Sequence, residues 1–352
     1  MRLKTLTKEA IKNKRVLLRA DLDVSIENGK TIDDARLESV VPTLEFLLEN
    51  NAKVVLVGHL GRPNPNPDPK IQTPEFSLEP VARWFNARLK IKNQILKKES
   101  LEGFEGWELD NNLIILENLR FYKEEKENDL SFSRKLASLV DCYVNDAFAV
   151  SHRAHASIVG VCKFIPHFAG FRLQKEVKEL SIILENPVRP LVVIIGGVKI
   201  ETKLPIVEKM HGWADFILVG GKVAEQIKIL FHQQHQETQR KSILLVADLT
   251  EDKNDISEKS AENFAEIIRG AKTVVWNGPL GFTEQGFNKG SKIVSESIID
   301  SKSYSVVGGG DTGACIKRLG IYDKFSFVSM GGGAMLDFLS GQKLPGLEVL
   351  KE

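Results

Sequence analysis

Five arginines in the first half of the chain are placed so that they could bind one anion together. Four follow short apolar runs and one opens a helix after an Asp-Asp pair; they are Arg19, Arg36, Arg62, Arg120 and Arg153. A guanidinium group donates two parallel hydrogen bonds and keeps its charge, which suits carboxylates and phosphates. Because parallel strands end at one edge of a sheet, the pattern predicts a site for a small polyanion there.

The alternative for any single arginine is an ordinary solvated side chain, so the prediction depends on their shared placement. Asp21 and His59 lie at the same strand ends. His152 and His155 are more simply interpreted as structural hydrogen-bonding residues, because an H-x-x-H pair alone does not make a metal site.

The strands of the second half end in glycine, which lets backbone N–H groups approach a phosphate closely. These glycines are Gly196, Gly197, Gly220, Gly221, Gly278, Gly308, Gly309, Gly310, Gly331, Gly332 and Gly333. Lys199 and Lys203 could supply positive charge to phosphates in transfer, and Asp311 could hold Mg²⁺. For the two lysines alone, solvated helix positions are the simpler interpretation. This half is predicted to bind a nucleotide.

A nicotinamide-dependent dehydrogenase is the rival enzyme class. Gly308-x-Gly310-x-x-Gly313 after a strand matches the dinucleotide-binding fingerprint. The match comes late in its sheet, Asp311 would repel a bare pyrophosphate, and no acidic residue ends the next strand to bind a ribose. The chain also lacks a G-x-x-x-x-G-K-[ST] sequence, so it is not a P-loop kinase.

Strands and helices must alternate to position these residues. Short apolar runs rich in β-branched residues recur between stretches of helical periodicity. They occupy residues 15–22, 53–60, 113–118, 142–148, 191–197, 216–221, 242–248, 273–278, 304–310 and 325–333. Nearly continuous apolar strands separated by amphipathic helices predict an α/β protein with two doubly wound parallel-sheet, Rossmann-like domains.

The two halves are expected to meet at a connecting helix. Residues 171–187 carry apolar side chains at helical spacing, and Asn186-Pro187 and Pro190 then stop the helix. The predicted division is a first domain at 1–170, a helix at 171–187 and a second domain at 188–340. Arg172 and the helix after it are hinge candidates, because the two ligands can react only if they are brought together.

Composition gives no reason to expect a macromolecular or membrane partner. The 352 residues suit two domains, and 48 basic against 47 acidic residues give a formal charge of +1. The three cysteines, Cys142, Cys162 and Cys315, are widely spaced, which favours a reducing compartment. No leader-like or membrane-length apolar segment is evident. A cytoplasmic protein that binds neither nucleic acid nor membrane is expected.

Nine short motifs in a fixed order resemble the phosphoglycerate kinase family over essentially the whole chain. They are RADLD (19–23), DDAR (33–36), GHLGRP (58–63), LENLRF (116–121), NDAF-x-x-x-HRAHAS (145–157), GGVK (196–199), WNGPLG (276–281), GGGDT (308–312) and GGGA (331–334). The resemblance implies reversible phosphoryl transfer between 1,3-bisphosphoglycerate with Mg·ADP and 3-phosphoglycerate with Mg·ATP. It also implies a monomer, a hinge-bending motion, and a tail at 341–352 that packs on the first domain.

The resemblance assigns roles position by position. Arg36, Lys199 and Lys203 would be catalytic. The 3-phosphoglycerate site would comprise Asp21, Asp23, Arg36, His59, Arg62, Arg120 and Arg153. The nucleotide site would comprise Gly196, Gly197, Lys203, Gly220, Gly221, Asn277, Pro279, Glu284, Gly308, Gly309, Gly310, Asp311 and Thr312, with Asp311 binding Mg²⁺. Gly331, Gly332 and Gly333 would form a loop around the transition state.

Departures from the family pattern lie mostly in the second half. Lys222 stands where a third glycine is usual, Met330 replaces a threonine, and DISEKS at 255–260 replaces a D-x-G-P-x-[ST] segment. The region between Ile229 and Ile256 is also shorter than in the family, which predicts an altered nucleoside pocket. In the first half, Asp23 occupies a position where the family usually has asparagine. A catalytically weak paralogue with a binding or regulatory role is therefore a second hypothesis, beside the active kinase and the dehydrogenase.

Overall fold

The chain divides into two compact units. The computed structural model describes residues 1–64, 74–89, 96–198, 200–233 and 242–352, of which 200–202 and 230–233 are described by their backbone only. Unit 1 comprises Met1–Lys178 and Lys343–Glu352, and unit 2 comprises Glu179–Gln342. Unit 1 is therefore built from two separate stretches of the chain.

A seven-stranded sheet forms the centre of unit 1, in the order β5-β6-β7-β4-β1-β8-β9. Its strands are β1 (Arg15–Arg19), β4 (Lys53–Val57), β5 (Lys97–Leu101), β6 (Phe104–Asp110), β7 (Leu113–Leu116), β8 (Cys142–Asn145) and β9 (His167–Ala169), and β2 (Ile26–Glu27) pairs with β3 (Lys30–Thr31) in a separate hairpin. Strands β7, β4, β1, β8 and β9 pair in parallel, whereas β5, β6 and β7 form an antiparallel meander.

Helices cover both faces of this sheet. They are α1 (Lys8–Ile11), α2 (Ala35–Glu49), α3 (Glu79–Arg88), α4 (Lys123–Glu127), α5 (Leu130–Ser138) and the first part of α6 (Phe171–Glu185). In α2, Leu37, Val40, Leu44 and Leu47 recur at helical spacing and are buried. Two apolar clusters lie on the two faces of β1 and β4, because alternate residues of a strand point to opposite sides.

The first turn of α6 is fixed by side chains from elsewhere in unit 1. The Phe171 backbone N–H donates to Thr43 Oγ1 at 3.0 Å, and the Leu173 N–H donates to Asp146 Oδ1 at 3.0 Å. These two acceptors satisfy N–H groups that a helix cannot pair internally. Burial raises the pKa of the Asp146 carboxyl to about 6.

The segment at 343–352 packs against unit 1. Its helix α13 (Pro345–Glu348) donates the Gly346 N–H to Ser151 O at 2.8 Å, and the Lys4 N–H donates to Leu350 O at 2.8 Å. A Cβ atom at Gly346 would lie 2.7 Å from Ile158 Cγ2. Only glycine allows the helix to approach this closely.

Unit 2 contains a six-stranded parallel sheet in the order β12-β11-β10-β13-β14-β15. Its elements are β10 (Leu191–Ile195), α7 (Ile200–Met210), β11 (Phe216–Val219), α8 (Lys222–Gln233), β12 (Ile243–Val246), α9 (Glu258–Arg269), β13 (Thr273–Asn277), α10 (Lys289–Ser301), β14 (Tyr304–Gly308), α11 (Gly310–Arg318), β15 (Phe327–Ser329) and α12 (Gly332–Leu339). Every residue of β10 and β13 is buried, as expected for strands covered on both faces.

Each of the ten predicted apolar runs contains a strand, and the α/β class with parallel-sheet domains is confirmed. The antiparallel strands β5 and β6 lie outside those runs and extend one edge of the first sheet. None of the helices in the described part of the chain combines the length and the apolar character needed to cross a bilayer.

Candidate active site

The carboxyl end of β1 places two acidic side chains beside Arg36. The Arg36 Nε atom lies 3.5 Å from Asp21 Oδ2, and Nη1 donates to Asp23 O at 2.6 Å. The Asp23 Oδ2 atom is 3.7 Å from both Arg36 Nη1 and His59 Nε2, while Oδ1 accepts the Gly61 N–H at 2.8 Å. Burial raises the pKa of Asp21, and the Arg36 charge opposes that rise. Four of the predicted substrate residues, Asp21, Asp23, Arg36 and His59, are thus linked to one another through Arg36 and Asp23.

His59 is enclosed by guanidinium groups. Its ring is buried, and Arg19 Nη2 lies 3.1 Å from Nδ1. Burial and the positive charges of Arg19, Arg120 and Arg153 hold the pKa of His59 well below its usual range. His59 is therefore a neutral ring at physiological pH.

The other predicted arginines meet at the same edge. Arg120 is buried and donates from Nη1 to Gly61 O at 2.6 Å. Burial, together with the charges of Arg153 and Arg19, lowers the pKa of Arg120 to about 10. The pKa of Arg153 is also lowered, by burial and by the charge of Arg62. The positive charges of these guanidinium groups repel one another. A bound anion would offset that repulsion and stabilise the site.

The two histidines of the HRAHAS motif face this cluster from one side. His152 Nε2 accepts from Arg153 Nε at 3.2 Å, and His155 Nδ1 lies 3.7 Å from the buried Glu125. Burial and the neighbouring arginine charges lower the pKa of His155 to about 3. His155 is therefore a neutral ring beside the arginine cluster, and His152 is a hydrogen-bond partner of Arg153.

In unit 2, the predicted glycines surround the end of β13. The Gly196 N–H donates to Asn277 O at 2.9 Å, and the Gly278 N–H donates to Thr312 Oγ1 at 2.8 Å. The Asn277 amide donates to Gly308 O at 3.0 Å and to Gly332 O at 3.2 Å. Asn277 therefore ties together the loops after β10, β14 and β15.

Two of these turns need glycine for a steric reason. Gly221 has φ +63°, and a Cβ atom there would lie 2.8 Å from Gly197 N. A Cβ atom at Gly332 would lie 2.8 Å from the Cα of Gly309, which has φ +106°. Gly331 precedes α12 and Gly333 lies within its first turn. The glycine-rich loops are thus in backbone contact with each other.

Lys203 is a half-buried cation beside these loops. It projects from α7, and its ammonium group donates to Asn277 Oδ1. Burial lowers the pKa of Lys203 to about 8, and the negative charge of Asp311 partly offsets the effect. Lys199, the other lysine predicted to be catalytic, lies outside the described residues.

A cavity of about 200 Å³ opens beside these loops. Gly197, Gly221 and Pro279 line one part of it, and Glu284 and Asp311 contribute carboxylates. Gly220 follows the last residue of β11 and precedes Gly221. Gly310 begins α11, so Asp311 lies in the first turn of that helix. No group of three or more potential metal ligands occurs among the described residues. One exposed carboxylate fits a Mg²⁺ ion that arrives with a nucleotide, since Mg²⁺ commonly combines one or two carboxylates with substrate phosphates.

Sequence reasoning missed the residues that form the apolar wall of this cavity. Leu249, Leu280 and Phe282 line it, and the Lys222 ammonium lies 5.9 Å from the centre of the Phe282 ring. The available signals were the departure at Lys222 and the shortened region between Ile229 and Ile256, which showed that the wall differs but not what replaces it. A flat aromatic ring can stack against any nucleobase.

Known proteins match along the whole chain. The family model described as phosphoglycerate kinase matches residues 6–235 and 226–342. The phosphoglycerate kinase of Finegoldia magna is 37% identical over 399 aligned positions that cover 100% of both chains. That of Dictyoglomus turgidum is 36% identical and covers 98% of this chain and 97% of its own. The alignment of 399 positions exceeds the 352 residues present here, and the two matched ranges overlap at 226–235, across the start of the region predicted to be shortened.

Solved structures agree with these relatives. The phosphoglycerate kinase of Coxiella burnetii has a TM-score of 0.80 and 32% identity, covering 99% of each chain. The phosphoglycerate kinase of Pyrococcus horikoshii OT3 has a TM-score of 0.82 and 30% identity, covering 99% of this chain and 98% of the other. Sequence, fold and the order of the site motifs therefore lead to one conclusion: the chain belongs to the phosphoglycerate kinase family.

Proposed function

We propose that this protein catalyses reversible phosphoryl transfer between 1,3-bisphosphoglycerate with Mg·ADP and 3-phosphoglycerate with Mg·ATP, as an ATP:3-phosphoglycerate 1-phosphotransferase of glycolysis and gluconeogenesis. The observation that carries the proposal is the guanidinium cluster of unit 1. Five arginines there, Arg19, Arg36, Arg62, Arg120 and Arg153, outnumber the three nearby carboxylates of Asp21, Asp23 and Glu125. A compact substrate with a phosphate and a carboxylate matches this excess of fixed positive charge.

The nucleotide belongs to the glycine loops of unit 2. Backbone N–H groups at helix starts and the Lys203 ammonium suit the phosphates. The cavity between Pro279 and Phe282 suits the nucleoside. We assign Glu284 to the ribose and Thr312 to a phosphate. Asp311 would hold Mg²⁺. The bound ion would neutralise part of the phosphate charge.

The reaction needs no covalent nucleophile from the protein, because the carboxylate of 3-phosphoglycerate attacks the terminal phosphorus itself. Catalysis then consists of orientation and of charge stabilisation around the moving phosphoryl group. We assign that stabilisation to Arg36, Lys199 and Lys203, with the loop at 331–333 donating backbone N–H groups. Residues 1–170 and 188–340 act as two domains in this proposal, with 171–187 as the connecting helix and hinge.

The decisive experiment measures ADP formation from ATP and 3-phosphoglycerate in the presence of Mg²⁺, with the acyl phosphate removed by a coupling enzyme. The assay is repeated with GTP, since Phe282 and Lys222 line a wall that the family pattern does not predict. Saturable turnover with either nucleotide supports the kinase. Binding of 3-phosphoglycerate without turnover would instead identify a paralogue with a binding or regulatory role.

We further propose a cytoplasmic monomer that acts on small molecules and binds neither nucleic acid nor membrane. The near balance of acidic and basic residues supports this, because a formal charge of +1 gives no general attraction to a polyanion. Sedimentation at several protein concentrations tests the monomer: a molecular mass that rises with concentration would contradict it.

A further inference from the structure

The most deeply buried cation among the described residues of unit 1 is connected to residues to which the family resemblance assigned no role. Arg19 has 1% of its surface exposed, and its guanidinium makes three hydrogen bonds. Nη1 donates to Ala20 O, Nε donates to Ser157 Oγ at 3.0 Å, and Nη2 contacts His59 Nδ1 at 3.1 Å. These contacts fix both the plane and the rotation of the guanidinium group.

The Ser157 hydroxyl can have only one orientation here. A guanidinium group has no acceptor, so Ser157 Oγ must accept from Arg19 and point its own hydrogen elsewhere. That hydrogen goes to Glu125 Oε1 at 2.6 Å, and the Ser157 backbone N–H donates to Oε2 at 2.9 Å. Both oxygens of the Glu125 carboxylate are thereby occupied.

Glu125 also supplies the charge that Arg19 needs. The carboxyl group is 1% exposed; burial raises its pKa, and the positive charge of Arg19 opposes that rise. A buried cation is costly unless an anion and hydrogen bonds compensate it. Glu125 belongs to α4, Ser157 to the π-helical turn Ala156–Gly160, and Arg19 to the end of β1, so three separate elements meet at this point.

The same donor and acceptor argument decides the state of His59. Since Arg19 Nη2 can only donate, His59 Nδ1 must carry a lone pair, and the proton of the neutral ring is on Nε2. The Nε2 atom lies 3.7 Å from Asp23 Oδ2, on the side of the predicted anion site. His59 therefore offers an N–H donor there.

We propose that Glu125 and Ser157 are positioning residues for 3-phosphoglycerate: they hold Arg19 against His59 Nδ1, so that His59 presents an Nε2–H donor to the substrate. This inference rests on the proposed function for the identity of the substrate. The hydrogen bonds that link Glu125, Ser157, Arg19 and His59 have fixed donors and acceptors in the free protein. Their effect on His59 can therefore be measured without any ligand.

The first measurement uses protein labelled with ¹⁵N in its histidine rings, at neutral pH. The signal of His59 is identified by its loss in His59→Gln, and wild type should show a protonated Nε2 and a bare Nδ1. In Ser157→Ala and Glu125→Gln the signal should change to a mixture of the two tautomers. The matched control is Ser133→Ala, which removes a hydroxyl from an equally buried serine that donates to Asp129 O.

The second measurement separates positioning from general damage to the fold. In both variants the KM for 3-phosphoglycerate should rise about tenfold, the size expected for one misdirected hydrogen bond, while the KM for ATP stays as in wild type. Ser133→Ala should change neither. If Ser157→Ala does not fold, Glu125→Gln, which keeps the side-chain shape, answers the same question.

Unchanged His59 ring signals in both variants would overturn the inference, as would equal rises in the KM values of both substrates. Failure of wild type to bind 3-phosphoglycerate would refute the proposed substrate instead. In that event the tautomer of His59 in the free protein still decides whether Glu125 and Ser157 orient the ring.

Discussion

Replacing Asp23 with asparagine should strengthen the binding of 3-phosphoglycerate. The Asp23 carboxylate lies 3.7 Å from Arg36 Nη1 and from His59 Nε2. It therefore competes with the anionic substrate for the charge of Arg36 and for the N–H group of His59. Asparagine keeps an acceptor oxygen for the Gly61 N–H, which now donates to Asp23 Oδ1 at 2.8 Å. The substitution therefore removes the charge and leaves the loop contact.

The exposure of Asp23 sets the magnitude of this effect. Coulomb's law with an effective dielectric constant of about 20 gives about 4.5 kcal/mol for unit charges at this distance of 3.7 Å. However, the side chain of Asp23 is 37% exposed, and measured pairs of this kind contribute at most about 1 kcal/mol because solvent screens them. Releasing Arg36 from that pair should lower the KM for 3-phosphoglycerate about fivefold.

The assay measures initial rates against 3-phosphoglycerate at saturating ATP, supported by direct titration of the substrate into the protein. Asp23→Ala is the comparison, since it removes the charge and also the acceptor for Gly61, and it should gain less affinity than Asp23→Asn. A higher KM in Asp23→Asn would refute the reasoning, because it would mean that the carboxylate itself binds the substrate.

Three further predictions concern the catalytic charges and the tail. Arg36→Ala should lower kcat by well over tenfold, since it removes one charge-assisted contact to the transferring phosphoryl group; unchanged turnover would contradict that role. Because burial lowers the pKa of Lys203 to about 8, kcat/KM for ATP should fall as pH rises through 8 and the ammonium loses its proton. Lys203→Arg stays charged and should remove that decline. Gly346→Ala should destabilise unit 1 by about 1–3 kcal/mol and lower the midpoint of thermal unfolding, because the new methyl group meets Ile158. Gly212→Ala, which has open space around its Cβ position, should leave that midpoint nearly unchanged.

Most of the parallel strands could be predicted because buried strands are continuous apolar runs; the short, partly buried strand β9 at the sheet edge lies outside the predicted runs. The antiparallel meander could not be predicted in the same way. Strand β5 has the sequence KKESL and is largely exposed at the sheet edge, and half-buried residues interrupt the buried ones in β6. Pairing with a neighbour, rather than local apolar character, makes these segments strands.

Much of the arginine cluster was also predictable, because the carboxyl ends of parallel strands share one edge. The residues that hold Arg19 in place could not be predicted. Ser157 is 138 residues from Arg19, and its hydroxyl is one of many in the chain. Only the fold shows that this serine lies between Arg19 and Glu125, since sequence spacing carries no information about contacts between distant elements.

The nucleoside pocket shows a third limit. The shortened region and Lys222 indicated that one wall departs from the family pattern, and the motif WNGPLG located the opposite wall. The contact of Lys222 with Phe282 depends on the geometry of α8 and of the loop after β13, which motif comparison cannot supply.

The discontinuous construction of unit 1 affects the order in which the chain can fold during synthesis. Residues 343–352 leave the ribosome after all of unit 2, so β1 to β9 exist for that whole period without the strand-like contact between Lys4 and Leu350 and without α13 against Ser151. Unit 2, at Glu179–Gln342, is continuous and can fold as soon as it emerges. The unit that was synthesised first is therefore the one that is completed last.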